Sequence, residues 1–308
     1  MTACSGPLYA IILNYRTPEL TISAAEHLRA SAVERPVHIF IVDNGSGDGS
    51  VERIQAGVPH ATVIASERNL GFAGGNNLGL SEALRVVPPD IDRQDTFVLL
   101  LNSDVEVEPD AVQLCMDYVG EHAEVGVVGP KLVKADGRLD LACRRLFPTP
   151  WRAFWKLTGM AKLRPHDPRF AGYNLTYLDE NATTEVDAVA GAFMLVRLAA
   201  IDRAGLLDER FFMYGEDLDW AYRIKGYGWR VVYYPRAVAR HLKGGTTRRQ
   251  SYRMIIVFYQ AMLLFHRKHN AERSPFLLNW LVTAGVVLRC GVALLTNLLR
   301  PRERKRVS

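Results

Sequence analysis

Phe97-Val98-Leu99-Leu100-Leu101-Asn102-Ser103-Asp104 is a short apolar run that stops abruptly on polar residues. It holds no Gly or Pro, and a bounded run of this kind reads as a strand buried on both faces. A carboxylate at the end of such a strand is costly to bury unless it is paired or bound to a cation. In open α/β sheets, ligands sit beyond the carboxyl ends of the strands, which puts Asp104 where a ligand would lie. The plainer alternative is an Asx turn capping the loop before Pro109.

The same design recurs upstream. Tyr9 to Leu13 is apolar and ends on Asn14-Tyr15, and a helical pattern follows from Pro18 to Ala30. His38 to Val42 ends on Asp43-Asn44, followed by the turn-rich Gly45-Ser-Gly-Asp-Gly-Ser50, read as a flexible turn with a helix cap at Ser50. Ala61 to Ala65 is a third strand, and Asn69-Leu-Gly-Phe-Ala-Gly-Gly-Asn-Asn77 leads into a helix ending near Pro88. Alternating strands and helices predict an α/β fold with a largely parallel sheet flanked by helices. The polar strand ends should then share one sheet edge. No GxGxxG follows the first strand, so the dinucleotide fingerprint is missing. Gly71, Gly74 and Gly75 fall where a helix begins, which suits either anion binding or ordinary turn chemistry.

Downstream, Val125 to Val133 reads as a strand before a turn at Asp136-Gly137. Phe147, Trp151, Phe154 and Trp155 have the spacing of one helical face and are accompanied by Arg144, Arg145, Arg152 and Lys156. Interleaved aromatic and basic residues suit a membrane interface or a lipid-phosphate acceptor, and a core-packing face is the competing reading. Val186 to Val196 returns to an apolar pattern, broken by Gly191. Glu216, Asp217 and Asp219 open a helix, where acidic side chains favour the macrodipole or mark a functional site. Trp229 to Tyr234 is a strand before Pro235. His241 precedes Gly244-Gly245 and Arg248-Arg249, a context for an anion or metal site as well as for a structural histidine.

Composition excludes a disordered or collagen-like chain: 48% of the residues are hydrophobic and 23% charged over 308 residues. The four cysteines form no CxxC pair, as expected in a reducing compartment. The first apolar run is too short for a signal peptide, so the sequons at Asn174 and Asn181 read as chance matches. From Arg223 onward there are 18 Lys and Arg against two Asp and Glu, while the preceding residues carry 20 against 31. A basic C-terminal third points to an anionic partner. Nucleic acid is disfavoured by the acidic remainder and by the apolar segment beside the basic tail. That segment, Phe276 to Leu299, is long enough to cross a bilayer but contains Asn279, Arg289 and Asn297. An Arg near the middle of a span costs about 2.5–3.5 kcal/mol. The basic flanks disfavour exporting the tail, so a helix or helical hairpin in or re-entering the cytoplasmic leaflet is expected. A long buried helix of a soluble domain is the alternative.

The motifs ILNYRTPE, IVDNGSGDGS, ERNLGFAGGNN, LLLNSDVEV, AGAFMLVR, FFMYGEDLDWAYRIKGYGWRVVYYP and RHLKGG occur in order between Ile12 and Gly245. Together they resemble family 2 glycosyltransferases of the GT-A fold, and more narrowly the bacterial rhamnosyltransferases acting on polyprenyl-diphosphate-linked sugars. The resemblance implies a glycosyltransferase domain over 1–250, with a donor half to about 105 and an acceptor half from about 106, and a membrane-associating region over 251–308. Asn102-Ser103-Asp104 matches the DxD-type motif with Asn in the first acidic place. Asp104 is then the principal carboxylate ligand of Mn2+ or Mg2+, His241 a further ligand, and Asn102 at most a weak partner. Tyr15, Asp43 and Asn44 are implied at the nucleoside, with Asn69, Gly71 and Phe72 closing over it. Ser103, Arg248 and Arg249 are implied near the diphosphate.

Asp217, paired with Glu216, matches the catalytic base. Arg144, Arg145, Trp151 and Trp155 are candidates for the acceptor. A single base with direct attack implies inversion. The resemblance suggests dTDP-rhamnose as donor, with UDP-galactofuranose as an alternative. It also suggests a lipid-linked diphospho-sugar acceptor, the cytoplasmic face of the cell membrane, and a place in cell-wall or surface polysaccharide assembly. A non-catalytic nucleotide-sugar binder is the rival that the missing first acid leaves open. A nucleotidyltransferase would carry a Gly-rich basic loop where Asn14-Tyr15-Arg16-Thr17-Pro18 stands.

Overall fold

Side-by-side apolar runs order the first half of the chain. The computed structural model describes residues 6–242 and 251–299. Its elements begin with β1 (Leu8–Asn14), α1 (Pro18–Ala30), β2 (Val37–Asp43), α2 (Ser50–Gly57), β3 (Thr62–Ala65), α3 (Gly71–Val86) and β4 (Phe97–Asn102). Strands β3, β2, β1 and β4 lie adjacent in that order and are all parallel. Ile11, Ile12, Leu99 and Leu100 are buried, as continuous apolar strands covered on both faces require. Ser50 is the first helical residue of α2 rather than its cap; Asp48 Oδ1 accepts from its backbone N–H.

The second half is mixed and brings antiparallel pairs into the mostly parallel sheet. It comprises β5 (Val105–Val107), α4 (Ala111–Glu121), β6 (Val125–Lys134), α5 (Pro150–Leu157), α6 (Met160–Leu163), α7 (Pro168–Ala171), β7 (Thr184–Val186), β8 (Phe193–Arg197), α8 (Leu198–Ala204), α9 (Glu216–Gly226) and β9 (Arg230–His241). β8 runs antiparallel to both β4 and β6, whereas β6 and β9 are parallel. The apolar stretch from Val186 to Val196 is thus two strands, because the chain turns through Gly191 between them. Pro235 does not end β9. The register with β6 shifts between Pro130 and Lys131, so the proline, which lacks an N–H, falls in the irregularity and the strand continues to His241.

Two C-terminal helices, α10 (Ser251–His269) and α11 (Phe276–Leu299), pack on each other around Ile255, Tyr259 and Val286. Asn279 is absorbed by this pairing: His266 Nε2 lies 2.8 Å from its Oδ1, and its Nδ2 donates to the Ala271 and Ser274 carbonyls. The outer face of α11 stays apolar and open, with 11% of its most apolar window buried, so it is not a core helix of the sheet domain. The hairpin is fastened to α9 through Asp219, which is fully buried. Arg223 Nε, Lys268 Nζ and His269 Nε2 lie 2.9, 2.6 and 2.7 Å from its oxygens. Burial works against the Asp219 charge, but these three partners hold its carboxyl below the usual range. Asp219→Ala would strand these groups, and removing one partner of a buried ion pair typically costs about 3–5 kcal/mol. Urea denaturation of the variant should show that loss, and a change under 1 kcal/mol would contradict this role for Asp219.

Candidate active site

The ends of the parallel strands form one polar edge, because their register aligns Asn14 with Asp43 and Leu13 with Asn102. Asn14 is buried and organises the first turn. Its Nδ2 donates to Asp43 Oδ2 at 2.7 Å, and its Oδ1 accepts from Thr21 Oγ1 at 2.8 Å. Asp43 Oδ1 accepts the Ser46 N–H, so this carboxylate is held from both sides. Tyr15 follows, half-buried, with the Arg16 guanidinium 5.2 Å from its ring centre.

The Asn69–Phe72 segment is fixed from within. Asn44 Oδ1 accepts from Leu70 N–H and its Nδ2 donates to the Gly71 carbonyl, so Asn44 supports this segment instead of presenting its amide to a ligand. Asn69 Oδ1 accepts the Gly71 N–H. Gly71 has φ +78°, and a Cβ there would fall 2.2 Å from the Phe212 carbonyl oxygen, so any side chain is excluded. A Cβ on Gly191 would meet the Phe72 ring and the Asp217 Cβ, each at 3.4 Å. Phe72, Gly191 and Asp217 therefore converge, although 145 residues separate the first from the last along the chain.

Asp217 sits in the first turn of α9. Its Oδ2 accepts from Arg145 at 2.7 Å and from Gly191 N–H at 3.0 Å, and Oδ1 accepts from Leu218 N–H. Arg145 also donates to the Val189 carbonyl and interacts with the Tyr173 hydroxyl. Beside it, Glu216 is buried, and among the described residues its Oε2 has no hydrogen-bond partner. Burial and then the neighbouring Asp217 charge push its carboxyl up to about 8. Glu216 thus lies against Asp217, and its own charge is disfavoured, whereas Asp217 has the Arg145 ion pair.

At the end of β4, Asn102 N–H donates to the Ala192 carbonyl, next to Gly191, and Ser103 Oγ lies 3.3 Å from Thr17 Oγ1. The pairing of Val105 with His241 brings the end of β9 alongside Asp104, whose Oδ1 is 3.3 Å from His241 Nε2. The other ring nitrogen, Nδ1, is 3.0 Å from Asp140 Oδ2. Burial opposes the His241 charge, but Asp104 and Asp140 outweigh it and raise the imidazole above its ordinary value. A carboxylate oxygen and an imidazole nitrogen that face each other, with the second nitrogen tied to a buried carboxylate, fit a divalent cation. No set of three or more His, Cys, Asp or Glu suited to a metal occurs among the described residues. A cation here would complete its shell with substrate phosphates and water, which is how Mg2+ is usually held.

Several expected residues lie elsewhere. Arg144 is buried and donates to the Asp179 and Leu178 carbonyls, so it braces the domain and is not available to an acceptor. Phe147 precedes α5 and packs on Tyr222 and Phe265, because Thr149 and Pro150 start the helix later than the aromatic spacing suggested. Trp155 is half-buried against Phe154 and Phe170, while Trp151 is exposed. Asp219 faces α10, away from the site. Arg248 and Arg249, with Gly244 and Gly245, lie outside the described residues. Asp140 and Tyr173 were not singled out in the sequence. Asp140 follows the Asp136-Gly137 turn among ordinary polar residues, and only the pairing of β6 with β9 carries it to His241.

A mixed α/β sheet with this polar strand edge is the GT-A type of glycosyltransferase fold. The chain belongs to the Glycosyltransferase like family 2, whose match spans residues 6–255. It is 28% identical over 296 residues to the N-acetylglucosaminyl-diphospho-decaprenol L-rhamnosyltransferase of Mycobacterium tuberculosis, covering 93% of this chain and 94% of that protein. It is 27% identical to galactofuranosyltransferase GlfT1 of the same species over 216 residues, covering 69% of this chain and 62% of that one. Its fold also resembles the mannosyltransferase PcManGT from Pyrobaculum calidifontis, solved with GDP-Man and Mn2+. There the TM-score is 0.55 at 15% identity, over 93% of this chain and 74% of the other.

The Glu216 environment makes stability depend on pH. A carboxyl raised on folding stabilises fully below its unfolded value and loses that contribution as pH rises through the folded value. Stability should therefore fall between about pH 4.5 and about 8 by up to one proton's slope, and Glu216→Gln should remove that part of the fall. Urea midpoints across this window check it, and identical slopes in the two proteins would refute the assignment.

Proposed function

We propose that this glycosyltransferase is inverting and divalent-metal-dependent. It moves rhamnose from dTDP-rhamnose to a polyprenyl-diphosphate-linked saccharide at the cytoplasmic face of the cell membrane, in cell-wall or surface polysaccharide assembly. The observation that carries the chemistry is that Gly191–Ala192 touches both parts of the site: Ala192 pairs with Asn102, and Gly191 with Asp217 and Phe72. The rhamnosyltransferase relative, matched over nearly its whole length, supports the substrates. The glycosyltransferase domain takes in about residues 1–250 and the membrane-associating region 251–308.

Tyr15 and Asp43 line the nucleoside side of the strand edge, with Asn69, Gly71 and Phe72 above it. Asp104 and His241 would hold a Mn2+ or Mg2+ ion, which when bound supplies positive charge against the departing diphosphate. Asp217 takes the proton from the acceptor hydroxyl as that oxygen attacks the anomeric carbon. Arg145 and Gly191 N–H fix the direction of its carboxylate. One base and one direct displacement invert the anomeric centre. α11 meets the bilayer through its open apolar face, which keeps the site near lipid-linked acceptors.

The match to GlfT1 favours UDP-galactofuranose as the second donor to examine. A panel of nucleotide sugars with a polyprenyl-diphosphate N-acetylglucosamine acceptor, with EDTA and with restored Mn2+ or Mg2+, separates the readings. dTDP-rhamnose should give a lipid-linked product that EDTA abolishes and metal restores. Asp217→Asn should lower kcat by about 10²–10⁴-fold while donor binding persists. Turnover that is unaffected by EDTA, or a fully active Asp217→Asn, would overturn the mechanism, and product from UDP-galactofuranose alone would reassign the donor.

A further inference from the structure

The α5–α6 segment exposes an apolar stripe that the proposed reaction does not use. Trp151, Phe154 and Leu163 are 65%, 48% and 73% exposed, whereas the other exposed large apolar side chains of the sheet domain, Val86, Leu141 and Tyr227, are scattered singly. Trp151, Phe154 and Leu157 follow at intervals of three, so they form one stripe along α5. The last of them, Leu157, packs against the apolar cluster formed by α10 and α11, and Asn270 Nδ2 donates to the Pro148 carbonyl nearby. The stripe thus runs on from the hairpin whose outer face carries exposed Trp280, Leu281 and Leu288. Its charge is one-signed: between Pro150 and Arg164 there are four basic side chains, Arg152, Lys156, Lys162 and Arg164, and no acidic one.

A short helix with exposed aromatic side chains and only cations among its charges is the composition of an element that lies in the headgroup layer of an anionic membrane. Tryptophan is at home at that depth, with its ring among the acyl chains and its N–H in water. We propose that α5–α6 is a second membrane-contacting element, inserting Trp151, Phe154 and Leu163 into an anionic leaflet beside α11. One contact leaves the domain free to swivel, whereas two fix its tilt. The second lies close to the reaction centre in sequence and space, because Arg145, five residues before α5, holds Asp217. The inference rests on the proposed membrane contact of α11.

Full-length protein mixed with phosphatidylglycerol-containing vesicles carrying brominated phospholipid tests both contacts separately. Trp280→Phe should lose part of the tryptophan quenching through α11, and Trp151→Phe should lose a further, independent part. If Trp151→Phe leaves quenching unchanged while Trp280→Phe reduces it, α11 alone meets the bilayer and this proposal fails. If neither changes, the membrane reading itself fails. The triple variant Trp151→Ser, Phe154→Ser, Leu163→Ser should also float with such vesicles about tenfold less well, since apolar area buried in the interface sets partitioning. Light scattering that shows these substitutions splitting a dimer, with vesicle binding intact, would give the stripe to a second copy of the chain and overturn the proposal.

Discussion

The antiparallel pairing of β8 with β4 is the constraint on which the site depends. It joins a parallel half to a mixed half, with Leu101 set against Phe193 and Asn102 N–H on the Ala192 carbonyl. The turn just before β8 then has nowhere to go except past the end of β4. Gly191 crosses there with no side chain, and Asp217 and the Phe72 ring both pack where its side chain would stand. A residue with a large side chain at 191 would push the carboxylate away from the strand edge that carries Asp104.

The charged groups of α9 show how one helix serves two surfaces. Asp217 and Asp219 are two residues apart, roughly 200° around the helix, and so point in nearly opposite directions. One is met by Arg145 and a backbone N–H from the site, the other by Lys268 and His269 of α10. The same short element therefore carries the proposed base on one side and fastens the C-terminal hairpin on the other. Arg253, also on α10, lies over the Phe212 ring, whose backbone carbonyl receives the Phe72 N–H. The hairpin thus supports both Asp217 and the Asn69–Phe72 segment from behind.

His241 illustrates a different route to a site. It ends a long strand that must pass a proline, and it arrives beside Asp104 because the register with β6 slips at the proline and then resumes. Its imidazole is oriented by Asp140, which is itself held in place by a turn: its carboxylate accepts the Ala142 N–H. Orientation of the ring is thus built from backbone geometry two steps away from the nitrogen that faces Asp104.

Much of this molecule was legible in the chain. The bounded apolar runs named β1, β2 and β4 nearly to the residue, because a strand buried on both faces leaves an unbroken local signal, and the edge strand β3, only half-buried, was still marked by its short apolar run. The motifs around Asp43, Asp104 and Asp217 named the family for the same reason: each is contiguous. What the chain alone could not decide is which polar residues meet. Spacing made Arg144 and Arg145 equivalent, yet successive residues of an extended segment point opposite ways, so one braces the Asp179 carbonyl and the other grips Asp217. Glu216, Asp217 and Asp219 looked like one acidic cluster until helix periodicity separated them. Asp140 carried no local mark, since its role exists only when β6 and β9 pair. Sequence determined the elements and their chemistry; the tertiary structure decided the partnerships, because hydrogen bonds and ion pairs act over a few ångströms between segments that only the fold brings together.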